Sequence, residues 1–199
     1  MLRQSFPEVI AVVDNGGLPL FTLPSADRFI LVGSLVSILT SISKTSGSGR
    51  IEYIRVEDGL IFIKRIDRRG NLLMFFKGLE DPRDGEWIVE VFINQIKDII
   101  SEFVEGFITN QDVEQVSRIY DMFINHLSII QKELIEINMK ITNNKKLLTK
   151  APQKLSACSR TLLSFHENKI IIDPQQIRQR NMKIEDIQHI VSKCMQKIK

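Results

Sequence analysis

Apolar residues recur along this chain in two distinct rhythms, short dense runs and long helical stripes. The first short runs are Val9 to Val13 and Leu18 to Leu23, separated by Asp14-Asn15-Gly16-Gly17. Asn-Gly supplies the positive φ angles of a tight turn, so the chain is expected to open with a β-hairpin. After Pro24, Ser25 stands as an N-cap and Asp27 lies in the first turn, where the helix dipole favours negative charge. Ala26 to Ser43 therefore reads as a first helix. Three more strand-like runs follow at Arg50 to Val56, Leu60 to Ile66 and Asn71 to Lys77, joined by Asp58-Gly59 and by Asp67-Arg68-Arg69-Gly70. In Leu60-Ile61-Phe62-Ile63 and in Leu72-Leu73-Met74-Phe75-Phe76 the apolar residues are consecutive rather than alternating. Such strands are covered on both faces, which calls for helices on each side of the sheet.

The helical rhythm supplies candidates for those layers. From Asp81-Pro82 or Asp84, apolar positions Ile88, Val89, Phe92, Ile93, Ile96, Ile99, Ile100 and Phe103 repeat at three and four residues, with Gly106 as the expected end. Trp87, in the first turn, reads as a lid on the core. A third helix starts near Asn110 and keeps a heptad rhythm through Val113, Val116, Tyr120, Phe123, Leu127, Ile130, Leu134, Ile137 and Ile141. Run on to Leu148, before Ala151-Pro152, it would measure about 57 Å at 1.5 Å per residue. Ile119 and Ile124 widen the stripe in its first half, whereas Gln131, Glu133, Asn138 and Lys140 narrow it in the second. The wide part suits a sheet and the narrow seam suits another helix. Ile184 to Ile198, with Ile187, Ile190, Val191, Cys194 and Ile198 on one face, is the expected occupant of that seam, although a coiled coil between two chains fits the same pattern. Arg160 to Phe165 and Lys169 to Ile172 read as a small hairpin turning at His166-Glu167-Asn168.

One segment breaks the usual rule for surface helices. From Phe29 to Ser43 there is no charged residue, although a helix with a wet face normally carries lysine or glutamate there. At about 100° per residue, Val32, Leu35, Val36, Leu39 and Ile42 form an apolar arc, and small polar residues gather opposite it. Gly33, Ser37 and Ser41 lie at i, i+4 and i+8, flanked by Ser34 and Thr40. Small-residue ridges of this kind let another element approach closely. Gly33, Ser34, Ser37, Thr40 and Ser41 are therefore the expected partner-binding surface, in a homodimer or with another protein.

Composition narrows the function classes. At 199 residues, 43% apolar and 26% charged, the chain is long enough for one full domain and an appendage. The net charge of +3 conceals an asymmetry: residues 1–139 hold 14 Lys+Arg against 20 Asp+Glu, and residues 140–199 hold 13 against 4. An acidic body with a basic tail points to an anionic partner for the tail, or simply to solvation. The tail's bases, among them Lys145, Lys146, Lys150, Lys154, Arg160, Arg178, Arg180 and Lys183, have no tyrosine or tryptophan among them, which disfavours base stacking and hence nucleic acid. Cys158 and Cys194 are 36 residues apart without a CxxC partner, so neither a zinc site nor a disulfide framework is expected. His126, His166 and His189 are isolated, and no nucleophile elbow or phosphate-cradling loop occurs. No catalytic residue, cofactor or metal is expected. With no signal-peptide core and no apolar run of membrane-spanning length, the expected location is the cytoplasm, peripheral to membranes at most.

The order of elements, ββαβββαα, with a five-stranded antiparallel sheet between helices, resembles the longin domain within the longin and roadblock group of α/β modules, of archaeal or membrane-traffic type. Val12-Val13-Asp14-Asn15-Gly16-Gly17-Leu18-Pro19-Leu20-Phe21 is similar to the opening hairpin of that group, where a D-x-x-G-x-P turn is common. Roadblock proteins start with a helix before the first strand, and only about seven residues precede it here, which favours longin; a profilin-like or PAS-like sheet is the nearest alternative. The resemblance covers residues 6–139 and divides the chain into a longin-like domain, 1–148, and a basic hairpin-helix extension, 149–199. It implies a non-enzymatic adaptor that binds or regulates small Ras-like GTPases, or serves membrane traffic. A SNARE role is rejected, because no Arg or Gln occupies the seam. The other readings are a peripheral membrane or nucleic-acid binder acting through the tail, and a ligand sensor using the sheet as a pocket floor.

Overall fold

The computed structural model describes residues 5–14, 18–24, 51–66, 70–103, 110–159, 162–166 and 169–198. Strands β1 (Pro7–Asp14) and β2 (Pro19–Leu23) form the expected antiparallel hairpin. Asp14 fastens its end twice: its amide donates to the Leu18 carbonyl at 2.9 Å and its Oδ1 accepts from the Leu18 amide at 2.8 Å. Strands β3 (Tyr53–Val56), β4 (Gly59–Arg65) and β5 (Gly70–Lys77) form the expected meander. Together the five make one antiparallel sheet in the order β2-β1-β5-β4-β3. The β3–β4 loop is Glu57-Asp58, one residue earlier than the Asp58-Gly59 turn expected, since Val56 pairs with Gly59. Gly59 is needed inside the strand: a Cβ there would lie 2.0 Å from the Phe76 carbonyl oxygen.

Register sorts the side chains onto two apolar faces. Ile10, Phe62 and Met74 lie in one row and Leu60 and Phe76 in the next, while Ala11, Ile63 and Leu73 occupy the opposite side. All eight are buried, so the central strands β1, β4 and β5 are covered on both faces, as the consecutive apolar runs require. Helix α1 (Pro82–Phe103) begins on the Phe62 side. Asp81 Oδ1 accepts from the Arg83 amide at 3.0 Å and caps the first turn. Gly85 then lets the helix approach the sheet, because a Cβ on it would fall 2.7 Å from the Phe62 ring and 2.6 Å from the Leu79 side chain. On the other side Ala11, Val13, Ile63 and Leu73 form a cluster with Val9, Ile51, Ile54 and Phe75 against it. The predicted first helix, residues 26–43, lies outside the described residues.

The heptad segment forms helix α2 (Asn110–Asn143) and stops five residues short of Leu148. Asn144 explains the stop. Its backbone is extended, at φ −129° and ψ 103°, and its side chain accepts from the amides of Lys146 and Leu147, capping a new helix, α3 (Lys145–Cys158). Ala151-Pro152 therefore does not end a helix. Pro152 lies inside α3, between buried Ala151 and Leu155; the new helix also runs across the expected boundary at 148/149.

Beyond it, β6 (Leu163–His166) and β7 (Lys169–Ile172) form the expected small hairpin, with His166 closing β6 rather than sitting in the turn. Helix α4 (Pro174–Arg180), unforeseen in the sequence, is capped by Asp173 and ends at Asn181 in the left-handed conformation, φ 50°. Helix α5 (Ile184–Ile198) buries Ile187, Val191, Cys194 and Ile198 as expected, with Ile190 only half-buried. The chain divides into two compact units, one of Ser5–Val89 and Ile96–Ile119, the other of Glu90–Gln95 and Tyr120–Lys199.

Candidate interaction surface

The predicted partner surface, Gly33, Ser34, Ser37, Thr40 and Ser41, lies outside the described residues. What the described residues contribute is the sheet itself. Its edges are β2 and β3. Leu18 and Leu20 are exposed at the β2 edge, and Tyr53 is exposed on β3 with its ring 6.2 Å from that of Phe62. Arg55 of β3 donates through Nη2 to the Glu80 carbonyl at 2.7 Å, tying that edge strand to the segment ahead of α1.

In the second unit, polar groups that looked like the wet flanks of a helix seam join segments distant in sequence. Asn138 is buried; its Oδ1 accepts from the Ile170 amide at 2.8 Å and its Nδ2 donates to the Leu134 carbonyl at 2.8 Å. Ser192 donates to both carboxylate oxygens of Glu133, at 2.8 and 3.0 Å. His126 Nδ1 is hydrogen-bonded to Gln188 Oε1. The heptad seam is thus occupied by α5 of the same chain, as the intramolecular alternative required. Helix α1 adds two more ties. Asn94 Nδ2 donates to the carbonyls of Met182 at 3.0 Å and Ile177 at 3.3 Å, and buried Glu90 is paired with Arg178 of α4, with Arg178 Nε 3.1 Å from Glu90 Oε2.

Sequence reasoning passed over Glu90, Asn94 and Arg178. The signal was available for the first two: a carboxylate and an amide in an otherwise apolar helical stripe require partners if buried. Which residues those partners are follows only from the fold.

Two further groups are shaped by burial. Phe92 meets Tyr120 and Phe123 edge-on at 6.3 and 5.0 Å between ring centroids, and burial, with the charge of Asp121 adding to it, raises the Tyr120 hydroxyl pKa. The Cys194 thiol is pushed up by burial and by its hydrogen bond with Cys158, the other free cysteine. The two cysteines, remote in sequence, are therefore neighbours in space. A raised pKa lowers the thiolate fraction at neutral pH and with it the nucleophilicity of Cys194. Among the described residues no three His, Cys, Asp or Glu side chains converge in a way that would hold a metal ion. His166 and His189 are exposed at the end of β6 and on α5. No described helix is long and apolar enough to cross a membrane.

No protein-family profile matches the chain, and no curated protein matches it in sequence. Among solved structures it is similar to a Roadblock/LC7 domain from Streptomyces avermitilis, at 12% identity and a TM-score of 0.42, over 50% of this chain and 91% of that one. It is also similar to MglB from Myxococcus xanthus, at 15% identity and a TM-score of 0.30, and to MglB in a tetrameric arrangement, at 16% and 0.30. The matches span 65% and 64% of those two chains, just under two thirds of their length. At 12–16% identity and TM-scores below 0.5 these likenesses assign neither family nor role; what the described residues show is a five-stranded antiparallel sheet in the order β2-β1-β5-β4-β3.

Proposed function

We propose that this chain is a non-enzymatic interaction module that binds or regulates a small Ras-like GTPase, or a membrane-traffic assembly, through its predicted first helix. In this reading residues 1–148 are the module and residues 149–199 its basic extension, and the helix serves either a homodimer or a protein partner. The observation that supports it is the sheet with two apolar faces. One face lies against α1 around Phe62 and Gly85; the other gathers Ala11, Val13, Ile63 and Leu73. A segment uncharged from Phe29 to Ser43 would, as a helix, offer an apolar arc to such a face and leave Gly33, Ser34, Ser37, Thr40 and Ser41 on its opposite side. A helix face of small uncharged residues is one that another element can approach closely.

The test is Ser37→Arg in the full chain. Light scattering, alone and with GTP-loaded and GDP-loaded small Ras-like GTPases, reads self-association and partner binding; circular dichroism reads the fold. The expected result is loss of assembly with a native spectrum. Assembly unchanged by Ser37→Arg would overturn the reading.

A further inference from the structure

The lysines of helix α3 are arranged against the helix's own electrostatics. The sequence KKLLTKAPQKLSAC carries four lysines and no carboxylate. Lys145 and Lys146 occupy the first turn, where the positive end of the helix dipole disfavours cations. Lys146, Lys150 and Lys154 then follow at i, i+4 and i+8, a spacing at which like charges repel. The buried side of the helix holds Ala151 and Leu155, while Lys145, Lys146 and Lys150 are exposed and pair with no carboxylate among the described residues. Glu133 and Glu136, in the second half of α2, are already engaged by Ser192 and Lys140. At its far end the row is extended by α5: Lys154 donates to the Lys197 carbonyl at 3.3 Å, and Lys197 donates to the Ala157 carbonyl at 3.2 Å, with exposed Lys193 one turn earlier.

We propose that this lysine row is a docking surface for an anionic lipid bilayer. Steps of four residues place successive lysines about 6 Å apart along a convex helix. Such a row cannot converge on one small anion; it complements an extended sheet of negative charge. The cations are lysines, compact point charges without the guanidinium fork that recognises individual phosphates, and α3 has no aromatic residue on which a base could stack. Its apolar side is turned into the protein, so the contact is electrostatic at the headgroup surface rather than an insertion. The inference is independent of the GTPase reading, since it uses none of residues 25–50.

The test uses the full chain with vesicles of phosphatidylcholine alone or with about a third phosphatidylserine, at about 0.05 M and about 0.5 M salt, where screening differs strongly. Binding is expected only with phosphatidylserine and only at low salt. The variant K146Q/K150Q/K154Q should bind about a hundredfold more weakly, about fivefold per lysine, with an unchanged circular dichroism spectrum. The charge-matched K77Q/K132Q/K183Q, altered at exposed lysines elsewhere, should retain most of the affinity. Absence of binding to phosphatidylserine vesicles, equal losses in both triple variants, or a row that binds duplex DNA but not vesicles would overturn the proposal.

Discussion

The Ile170 amide donates to Asn138 Oδ1 at 2.8 Å, joining strand β7 to helix α2 across 32 residues of sequence. The same side chain spends its Nδ2 on the Leu134 carbonyl. An isosteric leucine would keep the volume and leave a buried N–H without an acceptor. Asn138→Leu should therefore destabilise the protein by about 1–3 kcal/mol, measured by urea unfolding. A variant as stable as the parent would mean that the amide finds another partner.

Glu90 and Arg178 respond differently to single and double substitution. Glu90 is buried, while Arg178 remains half in solvent, so the loss falls on the carboxylate left behind. Arg178→Met should cost about 2 kcal/mol. Adding Glu90→Gln removes the buried charge, and the double variant should be less destabilised than the sum of the singles. Strict additivity in a double-mutant cycle would show the pair to be uncoupled.

Much of the sheet was legible because its apolar runs are dense and are separated in the sequence by Asn15-Gly16 and Asp58-Gly59. The β3–β4 turn was misplaced by one residue since turn propensity and close strand approach both ask for glycine, and at Gly59 the approach decides. Helix α3 was missed for a related reason. Pro152 reads as a breaker, whereas the cap at Asn144 and the burial of Ala151 and Leu155 hold a helix around it. In the second half of α2, Glu133 and Asn138 have the same composition whether they face water or grip another segment, and local pattern cannot separate the two. The predicted partner ridge was legible as a pattern of small residues; its geometry is not among the described residues.

Gly59→Ala tests the close strand approach. With a Cβ only 2.0 Å from the Phe76 carbonyl oxygen, β4 and β5 must part, and the expected cost is about 2 kcal/mol or more. Gly85→Ala meets side-chain atoms of Phe62 and Leu79 instead, which yield more readily, so overpacking of about 1–3 kcal/mol is expected. Thermal unfolding should rank Gly59→Ala below Gly85→Ala; the reverse order would contradict the geometry.

Alkaline conditions should weaken the fold in two stages. The Cys194 thiol and the Tyr120 hydroxyl both have raised pKa values when folded, above ordinary values of 9.0 and 10.0. The folded chain therefore holds protons that the unfolded chain gives up. Stability is fully present below pH 9 and falls as the pH rises through that value, more steeply beyond pH 10. Urea unfolding at a series of pH values reads the slope, and Cys194→Ala should remove its first part. Stability that rises above pH 9 would reverse the sign.

The contacts of Glu90 and Asn94 also bear on how the chain is made. Helix α1 leaves the ribosome long before Ile177, Arg178 and Met182 do, so during synthesis its carboxylate and amide wait, hydrated, for about 80 residues' worth of elongation. A nascent chain halted before residue 174 would therefore carry Glu90 and Asn94 on an otherwise greasy helix before the groups they grip in the finished fold exist.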